Sequence, residues 1–231
     1  MLGSFDAPDP KIDRARRHLA ELESEVAAFI ESRPVRFETS VTEIGTLQRI
    51  DFDLHLPAAP GPLIGAIIGD VVHNLGASLD LTACDLVRWR EGEGADVRRV
   101  YFPWCSSADQ LDATILWRQL DRAGVAAVDI IRDLKPYPSG NPMLRAIHDL
   151  DVQDKHTALI PAPVCVGVRL FDEDGTLNPT VIRDHASGPS ELRVVFPDAA
   201  PLAGRPVVET LRECIALTVA VMDRFRALID A

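Results

Sequence analysis

Lysine is almost missing from this chain. Lys11, Lys135 and Lys155 are the three present, and the other 21 of the 24 basic residues are arginine. With abundant Ala, Val, Asp and Pro, that bias points to a GC-rich, bacterial genome. Basic charge is short overall: 35 acidic residues outweigh it, for a net charge of −11 and a pI near 4.9. Broad electrostatic binding to DNA or RNA is therefore disfavoured, leaving room for a local basic patch at most. The four cysteines, Cys84, Cys105, Cys165 and Cys214, form no C-x-x-C pair. Zinc-ribbon and thioredoxin-like readings fail on that spacing, and reduced, buried thiols in a cytoplasmic protein are expected.

Other signatures are missing too. There is no P-loop and no Gly-x-Gly-x-x-Gly. There is no Gly-x-Ser-x-Gly elbow, and Cys105 has no placed base beside it. The opening MLGSFDAPDPKID lacks a basic region followed by an apolar core, so no signal peptide is expected. The greasiest stretch, residues 62 to 79, is interrupted by Asp70, His73 and Asn74. It reads as a core helix rather than a membrane span. No internal repeat is evident.

What is present suits a globular protein: 47% hydrophobic and 26% charged residues in a chain of 231. One α+β domain over 1–231 is the expectation. An amphipathic helix follows Asp9-Pro10, with Leu19, Leu22, Val26, Phe29 and Ile30 at helical spacing up to Arg33. The period then becomes two. Val35 to Val41 and Ile50 to Leu56 alternate around Ile44-Gly45-Thr46, predicting an antiparallel pair of strands with His55 on the solvated face. Pro57 to Pro62 breaks the sheet, and a long central helix runs from Pro62 to about Glu91. Further helices are expected from Ser106 or Ser107 to about Asp121, over 124–134 and over 142–156. Alternation returns in Val164–Leu170, near Thr180–Arg183 and in Leu192–Phe196. Asp172-Glu-Asp-Gly175 begins like a calcium loop but lacks the later Glu, so it reads as a hairpin turn. A last helix occupies about 207–230, with Val208, Leu211, Ile215, Val219, Met222 and Phe225 as its apolar stripe. The predicted architecture is a helical bundle, with its core at about 62–157, joined to one antiparallel sheet of about five strands drawn from 35–56 and 159–196.

Two polar clusters stand out. Asp70, His73 and Asp80 sit three and seven apart in the central helix and share roughly one stripe. An ionised Asp in an apolar helix is costly unless paired, so the stripe either closes hydrogen bonds or builds a site. The second cluster is His148-Asp-Leu-Asp-Val-Gln-Asp-Lys-His156. Lys155 and His156 suit the C-terminal end of a helix dipole. Lys155 also stands out in a chain that otherwise uses arginine, and lysine is the basic group whose pKa moves readily on burial. If the two clusters meet, His73 and His156 could do acid–base work, oriented by Asp70, Asp80 and Asp154, with Lys155 stabilising an anion. Asp70-x-x-His73 with Asp154 or His156 could alternatively hold a divalent metal, although the usual pair of Glu-x-x-His motifs is missing. The third option is a non-catalytic structural or interaction protein in which both clusters are core hydrogen-bond networks.

The stretch Gly69-Asp70-Val-Val-His73-Asn-Leu-Gly-Ala-Ser-Leu-Asp80 resembles the G-D-x-x-H-N-L-R-S-A-L-D helix of an uncharacterised bacterial family. Phe102-Pro103, Pro136-Tyr137 and Val152-Gln-Asp154-Lys155-His156-Thr157 stand, in order and spacing, where that family has its later F-P, Pro-Tyr and N-x-D-K-H-R pieces. The resemblance covers about 64–157 and implies no activity. Gly76 and Thr157 stand where that family has Arg, so an anion held by those arginines would lose its ligands here. A looser similarity is to HEPN-type helical ribonucleases, whose signature is Arg followed by His after four to six residues; no such pair is expected in this chain. A bacterial cytoplasmic hydrolase or binder of a small molecule, with a polar site between helices, is the leading expectation. The oligomeric state is left open.

Overall fold

The structure, a computed structural model, describes residues 6–32, 36–45, 47–157, 159, 161–168 and 190–229. Helix α1 spans Asp9–Ser32 and is followed by strands β1, Arg36–Ile44, and β2, Leu47–His55. The long helix α2 is Pro62–Glu91, and then come α3, Leu111–Trp117, α4, Val125–Leu134, and α5, Pro142–His156. Strands β3, Ala162–Val168, and β4, Ser190–Val195, precede the last helix, α6, Val207–Ile229.

The bundle is built on α2. Pro62 occupies its first turn and Gly92, at φ 99°, closes its end. Between them Ile64, Ile67, Ile68, Val71, Val72, Leu75, Leu79, Leu86 and Val87 are all buried. These residues surround more than one face of the helix, and α2 accordingly packs against α1, α5 and α6. It is long and apolar enough to cross a membrane by length and composition, yet most of its apolar window is buried inside this fold. Helix α1 contributes Ile12, Ala15, Leu19, Leu22, Val26 and Phe29, steps of three and four that lay one stripe on α2. Helix α6 does the same with Val207, Leu211, Ile215, Met222 and Phe225. Each such side chain taken fully from water contributes about 1.5–3 kcal/mol.

The α+β class holds, but the single five-stranded sheet does not. Among the described residues the strands form two separate antiparallel pairs, β1 with β2 and β3 with β4. The first pair turns at Gly45, at φ 66°, with Ile44 opposite Leu47. In the second, the register shifts between Cys165 and Gly167. The strand expected near Thr180–Arg183 and the turn at 172–175 lie outside the described residues. The single helix expected from Ser106 to Asp121 is also corrected. It is a 3-10 turn at Ala108–Gln110, the short α3, and a second 3-10 turn at Leu120–Ala123. Gln119 causes the break, because its left-handed φ of 57° cannot continue an α-helix. The expectation that no Arg-x4–6-His pair is present is also corrected: Arg49 and His55 meet that spacing. Both lie on β2, so the pair does not extend the HEPN similarity.

Candidate functional site

A pocket of about 250 Å³ opens between α2, α5 and the segment that leads into α3. His73, Gly76, Ala77 and Asp80 supply its α2 wall, while His148, Asp151, Val152 and Lys155 supply the α5 wall. Tyr101, Phe102, Trp104 and Arg118 complete it. The helical period explains both walls. Residues 73, 76, 77 and 80 are separated by steps of three, one and three, and residues 148, 151, 152 and 155 repeat the same steps. Gly76 has open space where a Cβ would stand.

The 101–105 segment is pinned on both sides. The Phe102 N–H donates to Asp80 Oδ1 at 2.9 Å. Arg145 Nη1 donates to the Cys105 carbonyl at 2.7 Å, and the same guanidinium is held by Asp149. Trp104 stacks on the His148 ring with centroids 5.4 Å apart and touches Phe102 on another side. Burial, helped by the nearby Arg145 charge, lowers the His148 pKa. Its imidazole is therefore a neutral aromatic wall at neutral pH.

Asp151 is the hub. Its Oδ1 lies 3.1 Å from His73 Nδ1, and its Oδ2 accepts from Lys155 Nζ at 2.5 Å. The Asp151 side chain is 15% exposed, whereas those of His73 and Lys155 are about half exposed, at 54% and 52%. An ionised carboxylate only accepts, so its hydrogen bond to Nδ1 puts the His73 proton there and leaves Nε2 as the acceptor. Asp80 differs in kind. Burial raises its pKa, against the pull of the Phe102 N–H and the Arg118 charge.

The six residues singled out from sequence divide evenly. His73, Asp80 and Lys155 line the pocket. Asp70, Asp154 and His156 do not. At 100° per residue Asp70 is turned about 60° from His73, and it is exposed toward α1, where His18 Nδ1 lies 4.0 Å away. Asp154 packs its carboxylate over Gly69, where a Cβ would overlap it. Burial first, then the Asp151 and Asp70 charges, raise its pKa. His156, one step beyond Lys155, is exposed at the end of α5. The divalent-metal reading loses its ligand set by this division. Among the described residues no group of three or more His, Cys, Asp or Glu side chains is placed to hold a metal ion.

Sequence reasoning gave three contributors no role. Asp151, already part of the second cluster, could have been given one, since it stands four residues before Lys155 on the same helix face. His148 belongs to that face as well. Arg118 carried no usable signal: it is one of 21 arginines, and it reaches the pocket only because the chain leaves α3 there. Comparison with protein-family models, with curated proteins and with solved structures finds no match in any of the three.

Proposed function

We propose that the pocket binds a small organic molecule and that His73 performs acid–base chemistry on it, the chain working as a small hydrolase. The observation that supports this most is the convergence of His73 and Lys155, 82 positions apart, on the two oxygens of Asp151 beside one hollow. Asp151 fixes the imidazole tautomer and orientation, as a carboxylate does behind a catalytic histidine. Lys155 holds the other oxygen of that carboxylate and adds positive charge at the pocket wall. With Nε2 as base, His73 takes a proton from an attacking water as its oxygen bonds to the acyl carbon, and returns the proton to the leaving oxygen. A volume of about 250 Å³ lies below the roughly 300–1,000 Å³ usual for drug-sized ligands. The substrate is accordingly a compact one.

The test is hydrolysis of p-nitrophenyl acetate by the purified protein and by His73→Ala. Loss of one acid–base group lowers a rate by about 100-fold or more. Because the His73 side chain is 54% exposed, its removal should move Tm by less than about 2 °C. Hydrolysis no faster than in buffer, or a variant as active as the parent, would rule the reading out. A fall in Tm beyond about 5 °C, roughly 1–2 kcal/mol, would assign His73 to structure instead.

A further inference from the structure

We infer that the ligand is an anion carrying a flat ring, and that Arg118 holds its carboxylate or phosphate. This rests on the pocket being a ligand site, as proposed above, and adds the class of molecule it takes. Arg118 follows α3 directly, and the left-handed turn at Gln119 carries the chain away beyond it. Its guanidinium carbon lies 4.1 Å from the Trp117 ring centroid and 5.1 Å from that of Tyr101. Such contacts use the faces of the guanidinium and leave its N–H edges for in-plane partners.

Those edges have no hydrogen-bond partner among the described residues. Arg118 Nε is buried and has no hydrogen-bond partner among the described residues. Nor does Arg118 form an ion pair there, unlike Lys155, which is committed to Asp151. Asp80 is the nearby carboxylate that acts on Arg118, but one of its oxygens is taken by the Phe102 N–H. A planar fork with an unmet buried donor matches the two oxygens of a carboxylate or phosphate. Beside its charged residues the lining carries apolar and aromatic surface, from Tyr101, Phe102, Trp104 and Ala77. Charge at one point and ring surfaces beside it describe a compact aromatic acid or aryl phosphate.

Calorimetric titration of the full chain with benzoate, phenyl phosphate and the neutral isostere benzamide tests this. In the parent protein at least one of the two anions should bind about 10- to 100-fold more tightly than benzamide, the range of one charge-assisted hydrogen-bond pair. Which anion binds better separates a carboxylate from a phosphate ligand. In Arg118→Gln that preference should vanish, leaving the anion no tighter than benzamide, while the Tm without ligand stays within about 2 °C of the parent. Should that variant fail to fold, Arg118→Lys keeps the charge but loses the fork, and it should retain only part of the preference. Benzamide matching both anions, no binding of either anion at millimolar concentration, or an anion preference that survives Arg118→Gln would each overturn the inference. The two readings fail separately. Hydrolysis of a neutral ester that depends on His73 would stand without any anion preference, and anion binding through Arg118 would stand without any hydrolysis.

Discussion

Gly65→Ala should lower stability by about 2 kcal/mol, although the same change in a free helix would raise it. Glycine inside a helix costs about 1 kcal/mol relative to alanine. At Gly65 that gain is outweighed. A Cβ built there falls far inside contact distance of the Leu159 carbonyl oxygen and reaches 3.0 Å from its carbon. The obstacle is backbone, so no rotamer change relieves it, and α2 must move from the chain that leaves α5. Overpacking of this kind costs about 1–3 kcal/mol and occasionally more. In a chain of this size a net loss of about 2 kcal/mol lowers Tm by roughly 4–8 °C. Gly76→Ala, eleven residues along the same helix, is the control. Nothing lies within 4 Å of its added methyl group, so the propensity gain stands alone and Tm should rise by about 2–3 °C. Thermal melts of the two variants beside the parent suffice. Equal shifts in the same direction would mean that α2 and the Leu159 backbone are not in the close contact described.

The pairing of these two glycines marks a division in what the chain discloses before folding. The extent of α2 was legible because Pro62 and Gly92 punctuate a continuous apolar run, and each acts locally through its own backbone preferences. The stripe on α6 was legible because its period is the helix's own. Strand partners were not, since alternation of side chains reports which face a strand buries and nothing about which edge it meets. Five alternating runs therefore suggested one sheet, where the described strands make two separate pairs. The same limit governs the site. His73 drew notice as an imidazole in an apolar helix and Lys155 as a rare lysine. Their meeting at Asp151 depends on how α2 and α5 cross, and beside that crossing Asp154 and Leu159 come too close to Gly69 and Gly65 for a Cβ. Asp70 was grouped with His73 because three residues is nearly a turn. The remaining 60° is enough to point it at α1 instead.

Asp80 offers the sharper test, because its two plausible duties predict opposite outcomes. Its Oδ1 accepts the Phe102 N–H, and an asparagine carbonyl can accept that bond as well. Asp80→Ala cannot. It leaves a buried donor unmet at a cost of about 1–3 kcal/mol, or roughly 4–8 °C in Tm for the middle of that range. Asp80→Asn keeps the hydrogen bond and discards the ionisation that burial opposes. Burial raises the folded-state pKa above the ordinary value of 3.8. Below that ordinary value the carboxyl is protonated whether folded or not, and its favourable contribution is complete. As pH climbs from there through the raised folded-state pKa, the unfolded chain releases its proton first, so stability falls, and above both values the loss is constant. The difference in Tm between Asp80→Asn and the parent should therefore grow in the variant's favour from about pH 4 upward, then level off. Taking the difference cancels the other titrating carboxylates, Asp85 and Asp154 among them. If Asp80→Asn melts as low as Asp80→Ala at neutral pH, the charge itself holds the fold through Arg118, and Asp80 is a structural residue. If the variant is at least as stable as the parent, the chain keeps a buried carboxylate at a cost to stability. A pocket wall is where such a cost is compensated by chemistry. His73→Ala and Asp80→Asn would then both spare the fold, and loss of hydrolysis in Asp80→Asn as well as in His73→Ala would give Asp80 a part in the chemistry.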